Sequence, residues 1–85
     1  MKNFKYIIKD PVGLHARPAG NLAKKVKEYE SKVIIKKGEK AAEAQKLMTV
    51  MGLCVKQNDE ITIEIDGVDE DRAYLEIQKF FEENF

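Results

Sequence analysis

The stretch Gly13-Leu14-His15-Ala16-Arg17-Pro18-Ala19 places the only histidine of the chain two residues from an arginine. Apolar residues recur at helical spacing from Ala19 to Val26, and a proline fits a helix only in its first turn, so a helix should begin close to His15. The unpaired backbone N–H groups and the dipole at such a helix start favour an anion. Because a histidine side chain titrates at about pH 6.5, its neutral, nucleophilic form is abundant at neutral pH. A histidine in such a place can therefore act as a nucleophile toward phosphorus.

The neighbours of His15 are suited to the same chemistry. Arg17 offers a planar set of donors for phosphate oxygens, and Gly13 permits a turn that a side chain would hinder. Proline has no N–H, so the free backbone donors should come from Ala16, Arg17 and Ala19. The segment contains no glycine-rich nucleotide loop and no aspartate-rich metal site, so we expect a phosphorylated protein as donor, with no cofactor and no metal. The alternative is a histidine that only caps the helix or lies on the surface.

The rest of the chain predicts the elements that hold this segment. Alternating or β-branched residues indicate strands at 4–8, 32–36 and 61–65, and a turn at 37–39 predicts a short edge strand at 40–43. Helices are expected over 16–29, within 45–55, and after the N-cap Asp69. The last helix should bury the stripe Ala73, Ile77, Phe80 and Phe81. This order predicts one α+β domain over residues 1–85, an antiparallel sheet with helices on one face.

Composition excludes several classes. No apolar run is long enough for a membrane span or a signal peptide, and the single cysteine, Cys54, rules out an internal disulfide and fits a reducing cytoplasm. Residues 1–40 carry 11 Lys and Arg against 4 Asp and Glu, and the numbers reverse in residues 41–85. The folded surface could have a basic and an acidic pole, or the fold could mix the two halves. A nucleic-acid surface would need exposed aromatic residues on the strands, whereas Phe4 and Tyr6 are expected in the core, so we expect no nucleic-acid partner.

The motif GLHARPA resembles the active-site segment of the HPr family, the histidine phosphocarriers of the bacterial sugar phosphotransferase system. The resemblance extends over essentially the whole chain. It includes Leu47-Met48, Met51, the strand Glu60-Ile61-Thr62-Ile63 and the entry into the last helix at Gly67–Glu70.

The resemblance implies an open-faced sandwich of four antiparallel strands with three helices on one face. It implies that phosphorylated enzyme I transfers a phosphoryl group to Nδ1 of His15, that Arg17 stabilises the group, and that a histidine of an enzyme IIA receives it. The backbone N–H of Ala16, one of the free donors at the helix start, is expected to bind the group as well. A monomer is expected, since transfer needs an exposed face around the histidine. The partner surface that the resemblance implies comprises Gly20, Lys24, Lys27, Leu47, Met48 and Met51. For each of these six the residues themselves leave a role in the core open.

Three positions depart from the family pattern. Lys46 stands where many members have a regulatory serine, so we expect a solvated helix-start residue and no kinase control there. Cys54 replaces a usual glycine, and we expect a small, partly buried apolar residue rather than an acidified, redox-sensitive thiol. Val12 replaces a small polar residue that could contact the phosphoryl group. An HPr-like regulator outside sugar transport is the alternative function, but a chain that keeps the histidine and lacks the serine favours the carrier.

Overall fold

The computed structural model describes residues 1–85 and shows the predicted order of elements. The strands are β1 (Lys2–Ile7), β2 (Lys32–Lys37), β3 (Lys40–Glu43) and β4 (Glu60–Asp66), and the helices are α1 (Ala16–Val26), α2 (Leu47–Met51) and α3 (Glu70–Asn84). All strand pairs are antiparallel and the sheet order is β1-β4-β2-β3. The predicted α+β class, a four-stranded antiparallel sheet with three helices, is confirmed. No helix has the length and apolar character needed to cross a membrane.

Strand β4 forms the centre of the sheet. Ile61, Ile63 and Ile65 are at most 1% exposed, because a period of two sends every second side chain to the covered face. Phe4 of β1 and Ile35 of β2 lie directly opposite Ile63 in the two flanking strands, and both are buried. The apolar face of the sheet thus continues across three strands and supplies the floor of the core.

Helix α3 covers the β1 side of this floor. Ala73, Ile77 and Phe81 are fully buried, and the ring of Phe81 lies 5.9 Å from that of Phe4. The fourth residue of the predicted stripe, Phe80, is only partly buried, because it packs at the edge of the core against Phe85 at 6.3 Å between ring centroids. Helix α1 covers another part of the sheet with its own buried stripe, which contains Pro18, Ala19, Leu22, Ala23 and Val26.

Two predicted boundaries are wrong by a few residues. β1 begins at Lys2, two residues before the predicted strand, and Ile8 is buried beyond its end. Helix α1 ends at Val26 rather than 29, because the amides of Glu28 and Tyr29 donate to carbonyls only three residues back and close a tight final turn.

Asp69 lies at the predicted N-cap of α3, but its side chain does not cap the helix. Its carboxylate instead accepts hydrogen bonds from the backbone N–H groups of Glu30 and Ser31, each at 2.9 Å, and from the Ser31 hydroxyl. The carboxylate therefore makes tertiary hydrogen bonds instead of the predicted helix cap. These bonds connect the start of α3 to the turn before β2.

The fold interleaves the basic and acidic halves of the sequence. Lys36 and Lys37 of β2 pair with Glu64 and Asp59 at 3.0 and 3.1 Å, and these acids belong to the second half of the chain. The pairing follows from topology, since β2 lies directly beside β4. In this part of the surface, basic residues of the first half therefore lie beside acidic residues of the second half. This agrees with the second of the two alternatives, in which the fold mixes the halves.

Candidate functional site

His15 is the N-cap residue of α1, with φ −102° and ψ 174°, and its side chain makes no capping hydrogen bond. The side chain is 35% exposed. A cap role for the imidazole, one of the alternatives left by the sequence, is therefore wrong. The ring lies at the predicted helix start, and part of it faces solvent where another protein can reach it.

Two backbone donors next to His15 are free. The N–H groups of Ala16 and Arg17 have no hydrogen-bond acceptor in the structure, as expected for the first turn of a helix. The third predicted donor, Ala19, is already occupied, because its N–H donates to the carbonyl of His15 at 3.0 Å. An anion beside the imidazole can therefore meet two unpaired amides at the positive end of α1.

Three basic side chains on α1 or directly after it are exposed and unpaired. Arg17, Lys24 and Lys27 are all solvent-exposed, and none of them makes an ion pair. Their positive charge is consequently available to an acidic partner or, for Arg17, to a bound phosphoryl group.

A tight turn delivers the chain to His15. Gly13 has φ +79°, and a Cβ atom at this position would lie 2.5 Å from the carbonyl oxygen of Val55. The next residue, Leu14, is buried and its N–H donates to that same carbonyl at 3.0 Å. Glycine is therefore required here both for its backbone conformation and for the close approach of the two segments, in line with the prediction for Gly13.

Asp10 is a site residue that sequence reasoning missed. Its Oδ2 lies 3.3 Å from Nε2 of His15, while its Oδ1 accepts the N–H of Val12 at 2.9 Å. The N–H of Val12 foremost, and then His15, lower the pKa of the Asp10 carboxyl below its ordinary value. The segment Asp-Pro-Val-Gly could have indicated the hydrogen bond from Val12, since aspartate commonly accepts the N–H two residues on in a turn, but it gives no signal for the contact with His15.

Phe85 braces the segment before the site from the end of α3. Its backbone carbonyl accepts the N–H groups of Lys9 and Asp10 at 2.6 and 2.9 Å. Its buried ring packs on Phe81 with 5.0 Å between ring centroids. The core under α3 is thereby connected directly to the residue that contacts the imidazole.

The residues expected at the partner surface divide into two groups. Met48 is 80% exposed and has no role in the core, whereas Leu47 and Met51 are half-buried and pack against the core from α2. Gly20 is half-buried on α1, with no heavy atom within 4 Å of where its Cβ would be. Helices α1 and α2 are in contact, so these residues and the lysines of α1 occupy neighbouring elements.

The three residues that depart from the family pattern, Lys46, Val12 and Cys54, are all exposed. Lys46 is an exposed N-cap residue of α2, as expected, with its Nζ 2.9 Å from Glu43, whose carboxyl pKa it lowers. Val12 is exposed. The expectation for Cys54 is wrong, because the residue is exposed rather than partly buried. Its φ of 54° explains why glycine suits this position.

Comparison with known proteins matches residues 2–83 to the family described as the PTS HPr component phosphorylation site. The chain is 43% identical over 79 residues to the phosphocarrier protein HPr of Mycoplasma capricolum, covering 93% of this chain and 89% of the relative. It is 39% identical over 74 residues to the phosphocarrier protein HPr of Lysinibacillus sphaericus, covering 87% and 84%. The solved structure of HPr-C-His from Thermoanaerobacter tengcongensis superposes with a TM-score of 0.92 at 30% identity, covering 100% and 96% of the two chains.

Proposed function

Since the chain belongs to the HPr family of phosphocarrier proteins of the phosphotransferase system, we propose that His15 carries the phosphoryl group. The donor is phosphorylated enzyme I and the acceptor is an enzyme IIA of a sugar uptake system. The observation that supports this most strongly is the partly exposed imidazole at the start of α1, beside two backbone N–H groups without acceptors.

The proposed step is an in-line displacement at phosphorus. A lone pair on the imidazole forms the new N–P bond while the bond between phosphorus and the donor atom breaks, and that electron pair stays with the donor. The N–H groups of Ala16 and Arg17 and the guanidinium of Arg17 stabilise the negative charge on the phosphoryl oxygens. Because phosphoryl transfer depends mainly on positioning and charge, these groups are sufficient without a residue acting as a base.

The docking surface for both partners is proposed to be formed by α1 and α2. Lys24 of α1 and Lys27 directly after it are exposed and unpaired and suit an acidic partner, and the exposed thioether of Met48 offers an adaptable apolar contact. The regulatory role outside sugar transport is not favoured, because the relatives are named phosphocarriers. The residues assigned to this surface are Gly20, Lys24, Lys27, Leu47, Met48 and Met51.

Incubation with purified enzyme I and phosphoenolpyruvate, followed by intact mass measurement, tests the proposal. The native protein should gain one acid-labile phosphate, and His15→Ala should gain none while it keeps the native circular dichroism spectrum. Met48→Glu should still load, with a raised KM for enzyme I, because it changes an exposed docking residue. An unmodified native protein, tested with an enzyme I that loads another HPr, would contradict the proposal, as would loading of His15→Ala.

A further inference from the structure

We propose that Asp10 is a positioning residue for His15. Its carboxylate holds the imidazole as the tautomer with the proton on Nε2, and so leaves the lone pair on Nδ1 to meet phosphorus. The consequence for transfer rests on the proposed function, whereas the tautomer itself can be measured independently of any partner.

One carboxylate oxygen of Asp10 and one ring nitrogen of His15 face each other. Oδ2 of Asp10 lies 3.3 Å from Nε2 of His15. An ionised carboxylate can only accept a hydrogen bond, and a neutral imidazole has one donor and one acceptor nitrogen. The nitrogen that faces Asp10 must therefore carry the proton, and Nδ1 is left as the acceptor and nucleophile.

The carboxylate is held in place by the turn in which it lies. The backbone N–H of Asp10 donates to the carbonyl of Phe85 at 2.9 Å, and its own carbonyl accepts the N–H of Gly13 at 2.9 Å. Oδ1 accepts the N–H of Val12 at 2.9 Å. These three bonds fix the backbone and one carboxylate oxygen, so that only Oδ2 remains to meet the imidazole.

The charge state of Asp10 suits this role. The N–H of Val12 and the imidazole of His15 hold the pKa of this carboxyl below its usual range, so that it is ionised at neutral pH. The side chain is 24% exposed, so the pair is only partly screened by solvent.

The same contact has a role after transfer. When the Nδ1 lone pair forms the N–P bond, the donor keeps the electrons of its broken bond, and the proton stays on Nε2. The ring then carries a positive charge, which the carboxylate of Asp10 faces directly. Asp10 is thus expected to stabilise the phosphorylated ring as well as to orient the free one.

The variant Asp10→Asn reverses the hydrogen-bond preference with little change in shape. The amide oxygen can keep the bond from the N–H of Val12, and the amide nitrogen then faces Nε2 as a donor. Nε2 becomes the acceptor, and the proton moves to Nδ1. Asp71→Asn is a matched control, because it removes the same charge from an exposed position. Asp71 pairs with Lys2 at the start of β1, and Asp10 follows the other end of that strand, roughly 15 Å away along the extended chain.

The ring nitrogens of 15N-labelled protein, observed by long-range proton–nitrogen correlation above pH 8, report the tautomer. We expect the proton on Nε2 in the native protein and in Asp71→Asn, and a larger share of the Nδ1–H form in Asp10→Asn. The kcat for loading by enzyme I should fall roughly 10- to 100-fold in Asp10→Asn, the range for losing a partner that orients a functional histidine, with KM nearly unchanged.

A native ring protonated on Nδ1, or an Asp10→Asn variant with the tautomer and kcat of Asp71→Asn, would overturn the inference. If the native protein shows the Nε2–H tautomer and Asp10→Asn shifts it, yet no form is loaded, the positioning assignment stands and the proposed function fails.

Discussion

The ring of His15 is partly exposed, while the backbone that carries it is fixed on both sides. The backbone carbonyl of His15 accepts the N–H of Ala19, and the buried side chain of Leu14 anchors the chain immediately before it. The imidazole contacts Asp10 through Nε2, and its side chain is partly exposed to solvent. At the scale of the residue, a fixed backbone thus carries a ring that remains partly exposed.

Cys54 has a backbone conformation that its side chain disfavours. A φ of 54° destabilises a residue that has a Cβ atom by about 1–2 kcal/mol, and glycine avoids this penalty. Glycine in turn lowers the free energy of unfolding by about 0.5–1 kcal/mol, because its unfolded chain has more conformational freedom. Because the side chain is exposed, its removal loses little burial. Cys54→Gly should therefore raise the free energy of unfolding in urea by about 0.5–1 kcal/mol.

Asn58→Gly provides the comparison for that change. Asn58 also has a positive φ, 73°, but asparagine tolerates this conformation better than cysteine does. Its substitution should yield a smaller gain. A urea midpoint that falls in Cys54→Gly, or a larger gain at Asn58 than at Cys54, would refute the assignment of strain to Cys54.

At the scale of elements, the start of α1 is set by the loop before it and by the edge of the core below. The backbone of Gly13 lies so close to the carbonyl oxygen of Val55 that no Cβ atom would fit between them. Gly20 lies inside α1 and has open space where its Cβ atom would be. Two glycines seven residues apart thus have different physical roles. Gly13 belongs to the turn that leads to His15, and Gly20 lowers the intrinsic stability of the helix.

The two corresponding alanine variants should change stability in opposite directions. Gly20→Ala should raise the free energy of unfolding by about 0.8–1 kcal/mol, the difference in helix propensity. Gly13→Ala should lower it by at least about 1–2 kcal/mol, because it adds both a disfavoured φ and a clash with backbone atoms of Val55 and Lys56. Urea unfolding followed by circular dichroism measures both, and equal effects of the same sign would contradict this account of the turn.

At the scale of the whole molecule, distant segments are joined by carboxylates. Asp69 joins α3 to the turn before β2, and Asp59 joins the loop before β4 to Lys37 of β2. Hydrogen bonds and ion pairs, some local and some between distant segments, lower the pKa of six carboxyls in the folded state. These carboxyls are Asp10, Glu43, Asp59, Asp69, Glu70 and Glu76.

This set predicts the acid sensitivity of the fold. A carboxyl with a lowered pKa contributes stability above its unfolded value, about pH 4, and that contribution is lost as the pH falls through the folded value. The free energy of unfolding should accordingly be level between about pH 5 and 7 and should decline below about pH 4. Urea titrations across this range give the dependence.

Asp69→Asn should be less stable than the native protein at pH 7 and should lose less stability between pH 6 and pH 3. Its carboxylate is the acceptor for the amides of Glu30 and Ser31, and for Asp69 the hydrogen bond from the Ser31 side chain is the largest cause of the lowered pKa. Asp71→Asn, at an exposed carboxyl, should keep the native pH dependence. A native-like slope in Asp69→Asn would contradict the proposed connection.

The sequence predicts the elements well where the pattern is local. Ile61, Ile63 and Ile65 alternate because one face of β4 is covered, and Pro18 limits where α1 can begin. The contact between Asp10 and His15 was not predicted, because it depends on how the turn folds back rather than on spacing alone. The positive φ of Cys54 was also beyond sequence reasoning, since its side-chain type favours no such backbone.

The role of Phe85 in bracing Asp10 is a further feature that only the tertiary structure reveals. Its carbonyl reaches the segment before His15 because α3 packs across β1, and no short-range pattern in the sequence connects residues 75 positions apart. The proposed partner surface could be predicted from the sequence only in part. Exposure separates Met48 from Leu47 and Met51, whereas all three share an apolar composition.

The most direct test of the central claim is a single-turnover transfer measurement with the isolated phosphorylated protein. The protein is loaded by enzyme I, freed of donor and phosphoenolpyruvate, and mixed with a panel of unphosphorylated enzyme IIA domains, while intact masses are followed over time. We predict that the chain loses its phosphate as one of the acceptors gains it, and that a catalytically inert acceptor lacking its own histidine leaves the phosphate on His15. A phosphate that stays on the chain with every acceptor, or that maps to a residue other than His15, would contradict the account.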